Sequence, residues 1–299
     1  MAAGLVNRAG EISSIKRVPM NSCGSAEDGW KSVVSAIAEV LDGDPEGVQG
    51  IGICAPGPLD PKTGVILNPP NLPCWRNFAL AASLQKLYPV LVRVDNDANA
   101  AALAEARWGA ARGYREVFYA TIGTGIGTGI VIDGKIFHGR TGSAGEGGHI
   151  SIDYRGPICR CGKRGCIEIL ASGTAIARRA SDLLVTGMKS SITDLAGNDG
   201  AITGEIIAKA YVGGDRLASD LLRETADMLA LWLSNMIDLL DPDVIVIGGG
   251  AAALYAAFFE RLRERIKEIT LNPRAHEVPI LHARYGADAG VAGGAALCV

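Results

Sequence analysis

The chain has 299 residues, 48% hydrophobic and 20% charged, and its formal net charge is −3. This composition is typical of a globular protein, and the length predicts two lobes rather than one small core. No block of like charge, secretory leader or membrane-length apolar run is visible, so we expect a soluble cytoplasmic protein that binds neither nucleic acid nor membrane.

The first part of the chain alternates strand and helix signals. Apolar residues at helical spacing predict a helix after Asp28, and short apolar runs predict strands. The predicted elements are a strand, turn and strand start over 5–12, a helix over 28–41, strands over 50–55 and 90–94, and an alanine-rich helix over 98–108.

A second pattern begins near Tyr114. Asp133-Gly134 lies between two apolar runs, which is a strong hairpin signal. The predicted elements are strands over 117–122, 130–132 and 135–137, a helix over 225–240, a strand over 243–247, a helix over 251–269, a strand over 279–283 and a small-residue helix over 289–297. This alternation predicts an α/β fold. We place a small lobe at 1–108, which the C-terminal helix at 287–299 could join, and a large lobe at 109–286.

Two glycine-rich segments follow predicted strands. Residues 123–129 read Gly-Thr-Gly-Ile-Gly-Thr-Gly, and Gly248-Gly249-Gly250 precedes a predicted helix. Glycines let backbone N–H groups surround an anion, and ligands of open α/β sheets bind where strands end. The first segment lacks the Gly-Lys-Ser/Thr of a Walker loop. The alternatives are a glycine-rich hairpin turn for the first segment and close strand-to-helix packing for the second.

Asn96 and Asp97 stand between a predicted strand and a predicted helix. An aspartate at the mouth of a cleft can accept the proton of a substrate hydroxyl. Aspartate and asparagine also cap helices, and in isolation the cap is the better interpretation. The two roles could be divided, with Asp97 catalytic and Asn99 nearer the cap.

Three cysteines and a histidine form the most specific motif. His149 precedes Cys159, Cys161 and Cys166, and three thiolates with one imidazole make a closed tetrahedral zinc shell, hence a structural one. Closing this loop would bring Glu146 and Glu168 together, where both could accept hydrogen bonds from a polyol. The alternative is free thiols and exposed glutamates. We expect the scattered cysteines to be small buried hydrophobes; they are Cys23, Cys54, Cys74 and Cys298.

These motifs together resemble the ROK proteins (repressors, open reading frames and kinases) over nearly the whole chain. Besides the zinc segment, the resemblance is carried by residues 55–60, 68–75, 96–101, 123–127 and 248–250. It implies an actin-like, ribonuclease-H-like two-lobed ATPase fold with a structural zinc site. It also implies a homo-oligomer, a dimer or tetramer.

The resemblance assigns roles residue by residue. Asp97 would be the general base, and the zinc ligands would be His149, Cys159, Cys161 and Cys166. The sugar would contact Gly57, Asn71, Asn96, Asp97, Glu146, His149 and Glu168. ATP, with Mg²⁺, would lie against Gly123, Thr124, Gly125 and Gly127 on the phosphate side and Gly249 and Gly250 on the adenosine side.

One departure from the family pattern concerns the beginning of the chain. Family members begin with a strand and an Asp-x-Gly-Gly-Thr loop, whereas residues 1–6 resemble the part after that loop. We hypothesise a misassigned start or a shortened chain. A chain without that loop is expected to have weak or absent catalysis and an exposed sheet edge.

The implied activity is ATP-dependent phosphorylation of glucose to glucose 6-phosphate, with polyphosphate as a possible alternative donor. The alternatives are an N-acetylmannosamine, N-acetylglucosamine or fructose kinase, and a catalytically weak sugar-binding protein or regulator. A DNA-binding repressor is disfavoured because no helix-turn-helix precedes the kinase-like part and the charge is acidic.

Overall fold

The computed structural model describes residues 1–20, 24–42, 46–69, 72–197, 201–252 and 256–299. These residues form two compact units. Unit 1 consists of residues 1–119, 129–145 and 283–299, and unit 2 of residues 120–128 and 146–282. Residues 109–119, 129–145 and 283–286, placed by sequence in the large lobe, thus belong to unit 1.

The first ten elements run from the N-terminus to Arg107. They are β1 (Ala2–Val6), β2 (Ile12–Arg17), α1 (Ala26–Leu41), β3 (Gly50–Ala55), β4 (Leu59–Asp60), β5 (Val65–Ile66), β6 (Phe78–Ala79), α2 (Leu80–Leu87), β7 (Leu91–Asn96) and α3 (Asp97–Arg107).

The remaining strands and helices follow in chain order. They are β8 (Glu116–Ile122), β9 (Ile126–Ile132), β10 (Lys135–Ile136), α4 (Ile167–Ala171), α5 (Gly173–Val185), α6 (Ser191–Ala196), α7 (Gly204–Val212), α8 (Arg216–Leu240), β11 (Val244–Gly248), α9 (Phe259–Ile269), β12 (Ile280–His282) and α10 (Ala289–Ala296).

The strands form four sheets. β1 pairs with β2 antiparallel, β3 pairs with β7 parallel, and β4, β5 and β6 form a small antiparallel sheet. The last five strands form one sheet in the order β10-β9-β8-β11-β12, in which β11 and β12 are parallel. Strands alternating with helices confirm the predicted α/β class.

Helix α1 shows how the sequence sets a local structure. Ser25 Oγ accepts from the Asp28 backbone N–H at 3.1 Å, and Asp28 Oδ2 accepts from the Ser25 N–H at 3.0 Å. This capping box satisfies two donors that would be unpaired at a helix start. The apolar face that follows buries Val33, Ala36 and Val40. In unit 1, Val33 joins a core that includes Trp75 and Leu80.

Unit 2 is built around α8, the longest of the described helices. Its inner face is buried at thirteen positions, including Trp232, which is fully buried. Burial of such a large side chain contributes several kcal/mol, on the order of 3–5 for its loss to alanine. The turn Gly147–His149 lies against this helix through a hydrogen bond described below. Within the described part of the chain, no helix is both long and apolar enough to cross a membrane.

Some predicted elements need correction. The Asp133-Gly134 hairpin is confirmed: Ile132 pairs with Lys135, and both turn residues have positive φ, as a two-residue hairpin turn requires. β9 begins at Ile126 and not at residue 130, so half of the glycine-rich segment is strand. Of the helix predicted over 251–269, α9 begins at Phe259 and is preceded by a 3-10 turn over Ala256–Phe258; residues 253–255 lie outside the described residues.

Candidate active site

The carboxyl ends of β3 and β7 define the candidate site in unit 1. These strands are parallel and in register, with Ala55 opposite Asn96. Chain segments that leave parallel strands at the same edge lie close together. A Cβ added to Gly57 would lie 3.7 Å from Asn96 Nδ2. The structure therefore brings together Gly57 and Asn96, both of which were expected to contact the sugar.

Asn96 is the N-cap of α3. Its Oδ1 accepts from the backbone N–H groups of Ala98 at 2.9 Å and Asn99 at 3.3 Å. The suggestion that Asn99 lies nearer the cap is wrong, because Asn99 is buried within the helix and donates from Nδ2 to Asp95. With the cap supplied by Asn96, Asp97 is the first residue of α3 and is exposed.

The pKa of the Asp97 carboxyl is raised above its ordinary value. Desolvation by the surrounding protein is the main cause, and hydrogen bonds from the backbone of Ala98 and Asp97 and from the Asn96 side chain oppose it. Because the residue surface remains open to water, the shift is smaller than that of a fully enclosed carboxyl. A raised pKa makes the carboxylate a better proton acceptor than an ordinary aspartate.

Two residues that the sequence did not single out as site residues, Asp95 and His138, form hydrogen bonds at the start of α3. Asp95 is buried, and its carboxylate accepts from Asn96 N at 2.7 Å and Asn99 Nδ2 at 3.2 Å. Its Oδ2 lies 2.6 Å from Nε2 of His138, which follows β10. Asp95 could have been suspected from its place in the Asp95-Asn96-Asp97 run. His138 is 43 residues away in sequence, and no local signal pointed to it.

In unit 2 the two glycine-rich loops are neighbours. Gly249, with φ +90°, has no room for a side chain, because an added Cβ would lie 2.4 Å from the Ile122 carbonyl oxygen. That oxygen accepts from Ala251 N at 2.9 Å. A Cβ at Gly123 or Gly250 would meet nothing within 4 Å. The loops therefore border open space at the ends of β8 and β11, where an anionic ligand could approach their backbone.

Glu168 forms a hydrogen bond with the first of these glycine-rich loops. Its Oε2 accepts from the Ile126 backbone N–H at 3.0 Å, and an added Cβ at Gly125 would lie 2.5 Å from the same oxygen. The start of α5 holds the other side, since Gly173 N donates to Gly123 O at 2.8 Å and the Thr174 hydroxyl donates to Thr124 O. Gly127 lies within β9 and not in the loop. Thr124 is exposed.

The turn that carries Glu146 is held on both sides of Gly147. The Gly147 N–H donates to Thr128 Oγ1 at 2.8 Å, and its carbonyl accepts from Trp232 Nε1 at 3.0 Å. Glu146 itself is exposed. The following segment pairs with the one that leads to Glu168, since Ile167 N donates to Ile150 O at 3.0 Å. The two glutamates are thus carried by adjacent backbone segments.

The predicted zinc ligands converge on one point. The donor atoms of His149, Cys159, Cys161 and Cys166 all lie within 4.8 Å of one another. Cys159 Sγ lies 3.5 Å from His149 Nδ1, and Cys161 Sγ lies 3.6 Å from Cys166 Sγ. Donors arranged tetrahedrally around zinc at about 2.3 Å are about 3.8 Å apart. Both the spacing and the donor types therefore fit zinc.

A bound cation would favour the thiolate form of the cysteines in this cluster. Burial, and then hydrogen bonds with Cys161 and Cys159, raise the pKa of Cys166 to about 12. His149 turns Nδ1 toward the thiols, which leaves Nε2 for a partner on the other side of the ring. The expected roles of His149 as a metal ligand and as a sugar contact are compatible with this geometry, because each role can use a different nitrogen.

Two predicted positions lie outside the described residues: Asn71, expected to contact the sugar, and Cys23. Cys54, Cys74 and Cys298 are free thiols, as expected, but they are half-buried rather than buried. Each is partly covered and none lies in the metal cluster.

Comparison with known proteins gives consistent results. A sequence model described as the ROK family matches residues 1–299. The glucokinase of Thermotoga maritima is 33% identical over 298 residues, which cover 99% of this chain and 93% of that protein.

Two crystal structures resemble the chain over almost its full length. A ROK family glucokinase from Streptomyces griseus in complex with glucose and AMPPNP has 33% identity and a TM-score of 0.83, covering 98% of this chain and 94% of that one. A ROK family transcriptional regulator, a homologue of the E. coli Mlc protein, has 28% identity and a TM-score of 0.88, covering 99% and 74%. Kinases and a regulator therefore share this fold.

Proposed function

The chain belongs to the ROK family, and we propose from this premise that it transfers the terminal phosphoryl group of ATP to a hexose. Glucose is the proposed substrate and glucose 6-phosphate the product. The observation that carries the proposal is Asp97, an exposed carboxylate of raised pKa at the first residue of α3, in a chain that matches glucokinases.

Asp97 is the proposed general base. Its carboxylate takes the proton of the sugar hydroxyl as that oxygen forms a bond to the γ-phosphorus, and the bond from this phosphorus to the bridging oxygen of ADP breaks. Positioning by Asn96 and Gly57 would hold the hydroxyl near the base. Glu146, Glu168 and Nε2 of His149 are the proposed partners of the remaining sugar hydroxyls.

The two glycine-rich loops of unit 2 are the proposed ATP site. Gly123, Thr124 and Gly125 would offer N–H and hydroxyl donors to phosphate oxygens, and Gly249 and Gly250 would lie against the adenosine. Gly127, inside β9, would support the loop from the strand. ATP is expected to bind as its magnesium complex.

Zinc is the proposed occupant of the His149 and cysteine cluster. A fourth protein ligand closes the coordination shell, so the metal would have a structural role and would not activate water. Its position beside Glu168 along the chain suggests that it fixes the segment between the two proposed sugar-binding glutamates.

The proposal is tested by ADP release coupled to a reporter enzyme. Candidate sugars are glucose, N-acetylmannosamine, N-acetylglucosamine and fructose, and polyphosphate replaces ATP in a parallel series. We expect turnover with glucose and a loss of about 10²–10⁴-fold in Asp97→Asn, because the variant cannot accept the proton. Asp182→Asn, an exposed change on α5, is the matched control and should keep full activity.

Equal turnover in Asp97→Asn and Asp182→Asn would exclude Asp97 as the base. Calorimetric titration with glucose separates binding from chemistry. Heat of glucose binding without ADP release, in a folded zinc-loaded protein, would instead support the second candidate.

That second candidate is a sugar-binding regulator that does not turn over ATP. It is favoured by the TM-score of 0.88 to a ROK transcriptional regulator. The chain covers only 74% of that regulator, however, so the resemblance leaves part of the regulator unmatched.

A further inference from the structure

The segment 168–174 is hydrogen-bonded to the first glycine-rich loop on two sides, and all of these residues belong to unit 2. On one side, at the start of α5, Gly173 N donates to Gly123 O at 2.8 Å. On the other side, the Ile126 backbone N–H donates to Glu168 Oε2 at 3.0 Å. The second contact is made by a carboxylate that is also a proposed partner of the sugar.

The contact with Glu168 is built closely. Ile126 is buried as the first residue of β9, and the backbone N–H groups of buried residues require a hydrogen-bond partner. Gly125, the residue before it, leaves room for the carboxylate, because an added Cβ there would lie 2.5 Å from Glu168 Oε2. The position of the Glu168 side chain and the conformation of the loop therefore depend on each other.

The two carboxylate oxygens of Glu168 differ in their partners. Oε2 accepts from the loop, whereas Oε1 makes no hydrogen bond within the described residues. The residue is half-buried, so part of it is open to a ligand. A carboxylate can accept through both oxygens at once. One oxygen of Glu168 can therefore hold the loop while the other accepts from a sugar hydroxyl.

We propose that Glu168 is a positioning residue for the phosphate loop and couples the binding of sugar and ATP. This role rests on the proposed function, since it takes the loop as a phosphate site and Glu168 as a sugar contact. A hydroxyl on Oε1 would restrict the rotamers of Glu168 and keep Oε2 at the Ile126 N–H. ATP would then meet an ordered loop and lose less conformational entropy on binding. Each ligand should strengthen the binding of the other by the same factor.

Glu146, the other proposed sugar-binding glutamate, offers a matched comparison. It is exposed, and the turn that carries it is held by a backbone group, the Gly147 N–H, which donates to Thr128 Oγ1 at 2.8 Å. That bond does not involve the Glu146 carboxylate. Loss of this carboxylate is therefore expected to weaken glucose binding without affecting the loop.

The test measures binding without turnover. Calorimetric titration gives the Kd of glucose alone, the Kd of magnesium AMPPNP alone, and the Kd of each ligand when the other is saturating. Hydrogen exchange at the Ile126 amide reports on the bond to Glu168, and the urea midpoint shows that each protein is folded. The proteins compared are the unaltered chain, Glu168→Ala, Glu146→Ala, Gly125→Ala and Gly123→Ala.

The two glycine variants test the contact with Glu168 in place. The new Cβ of Gly125→Ala would displace Oε2 from the Ile126 N–H, whereas the Cβ of Gly123→Ala in the same loop meets nothing within 4 Å. Gly123→Ala serves as the control for glucose binding and Ile126 exchange in the absence of nucleotide. Because Gly125→Ala keeps the Glu168 side chain, it tests the coupling even if Glu168→Ala fails to fold.

In the unaltered chain, we expect saturating glucose to lower the Kd of AMPPNP by about fivefold or more. Glucose alone should also slow exchange at the Ile126 amide. Glu168→Ala and Gly125→Ala should lose both effects. Glu146→Ala should bind glucose more weakly but keep the coupling once glucose saturates, and Gly123→Ala should keep the slower exchange.

Three results would overturn the proposal. If glucose and AMPPNP bind independently in the unaltered chain, or if their coupling persists in Gly125→Ala, the bond to Glu168 does not couple them. If Glu146→Ala loses the coupling as Glu168→Ala does, any sugar contact suffices. In these cases ADP release with glucose would leave the proposed function standing. If neither glucose nor AMPPNP binds and no ADP is released, the proposed function fails as well.

Discussion

At the scale of single residues, the proposed role of Asp97 as a base opposes the stability of the fold. Desolvation raises the pKa of its carboxyl, so at neutral pH the protein holds a charge that its surroundings disfavour. A group whose pKa is higher in the folded than in the unfolded state stabilises the fold below its unfolded pKa. That contribution is lost as the pH rises through the folded pKa. The ionised form of the Asp97 carboxyl, which the proposed base would require, therefore works against folding.

The first prediction concerns the acid limb of the pH–rate profile. We expect kcat/KM with glucose to fall as the pH drops through a pKa above the ordinary aspartate value of about 3.9, because the base must be ionised. The measurement is the coupled assay between pH 4 and 9 at constant ionic strength. An acid limb at or below the ordinary value would contradict the raised pKa.

Asp97→Asn should leave the urea midpoint at pH 7 unchanged or raise it, since the variant removes the disfavoured charge and Asn96 still caps α3. A lower midpoint would mean that Asp97 stabilises the helix start.

At the scale of elements, the turn Gly147–His149 shows why a glycine is needed where the turn packs against strand β9. An added Cβ at Gly148 would lie 1.9 Å from the Ile126 carbonyl oxygen of β9. Backbone atoms of a strand cannot yield as the end of a flexible side chain can. The glycine is therefore required by close packing, and the same packing places Glu146 and His149 at the ends of the turn.

Gly148→Ala is predicted to move the turn away from β9. We expect a loss of about 1–3 kcal/mol in the free energy of unfolding, as for other overpacked sites, and a higher KM for the sugar. Urea unfolding and the coupled assay measure the two effects. The matched control is Gly290→Ala, where the new Cβ meets nothing within 4 Å and helix propensity improves. Similar stability losses in both variants would rule out the close contact as the cause.

At the scale of the whole molecule, the cluster of His149 with three cysteines lies in the same unit as the long helix α8. His149, Cys159, Cys161 and Cys166 belong to unit 2, as do α8 and the turn bonded to Trp232. The loop that they close lacks long helices or strands between residues 150 and 166. A metal ion there would stabilise a loop that has no helix or strand of its own.

Removal of the metal is predicted to loosen unit 2 selectively. Purified protein should contain about one zinc per chain, and a strong chelator should lower the urea midpoint and accelerate amide exchange over residues 149–168. Exchange in β3 and β7, in unit 1, is the internal control and should not change. If the protein is purified without zinc and the chelator has no effect on it, the cysteines of the cluster are free thiols and the prediction is wrong.

Local patterns in the sequence were enough for much of this description. The capping box of α1, the Asp133-Gly134 hairpin and the strand before Asp97 follow from interactions between residues a few positions apart. The convergence of His149 with the three cysteines was also predictable, because these residues lie at short spacing in the sequence. The family resemblance then supplied roles for single residues that no spacing could give.

The tertiary structure decided what depends on residues distant in sequence. Asn96 rather than Asn99 caps α3. The sequence alone could not show which of these side chains reaches the free N–H groups at the start of the helix. The pairing of His138 with Asp95 and the bond from Ile126 to Glu168 join positions 43 and 42 residues apart. Local chemistry determined the elements, whereas long-range contacts determined which groups are paired and which remain open.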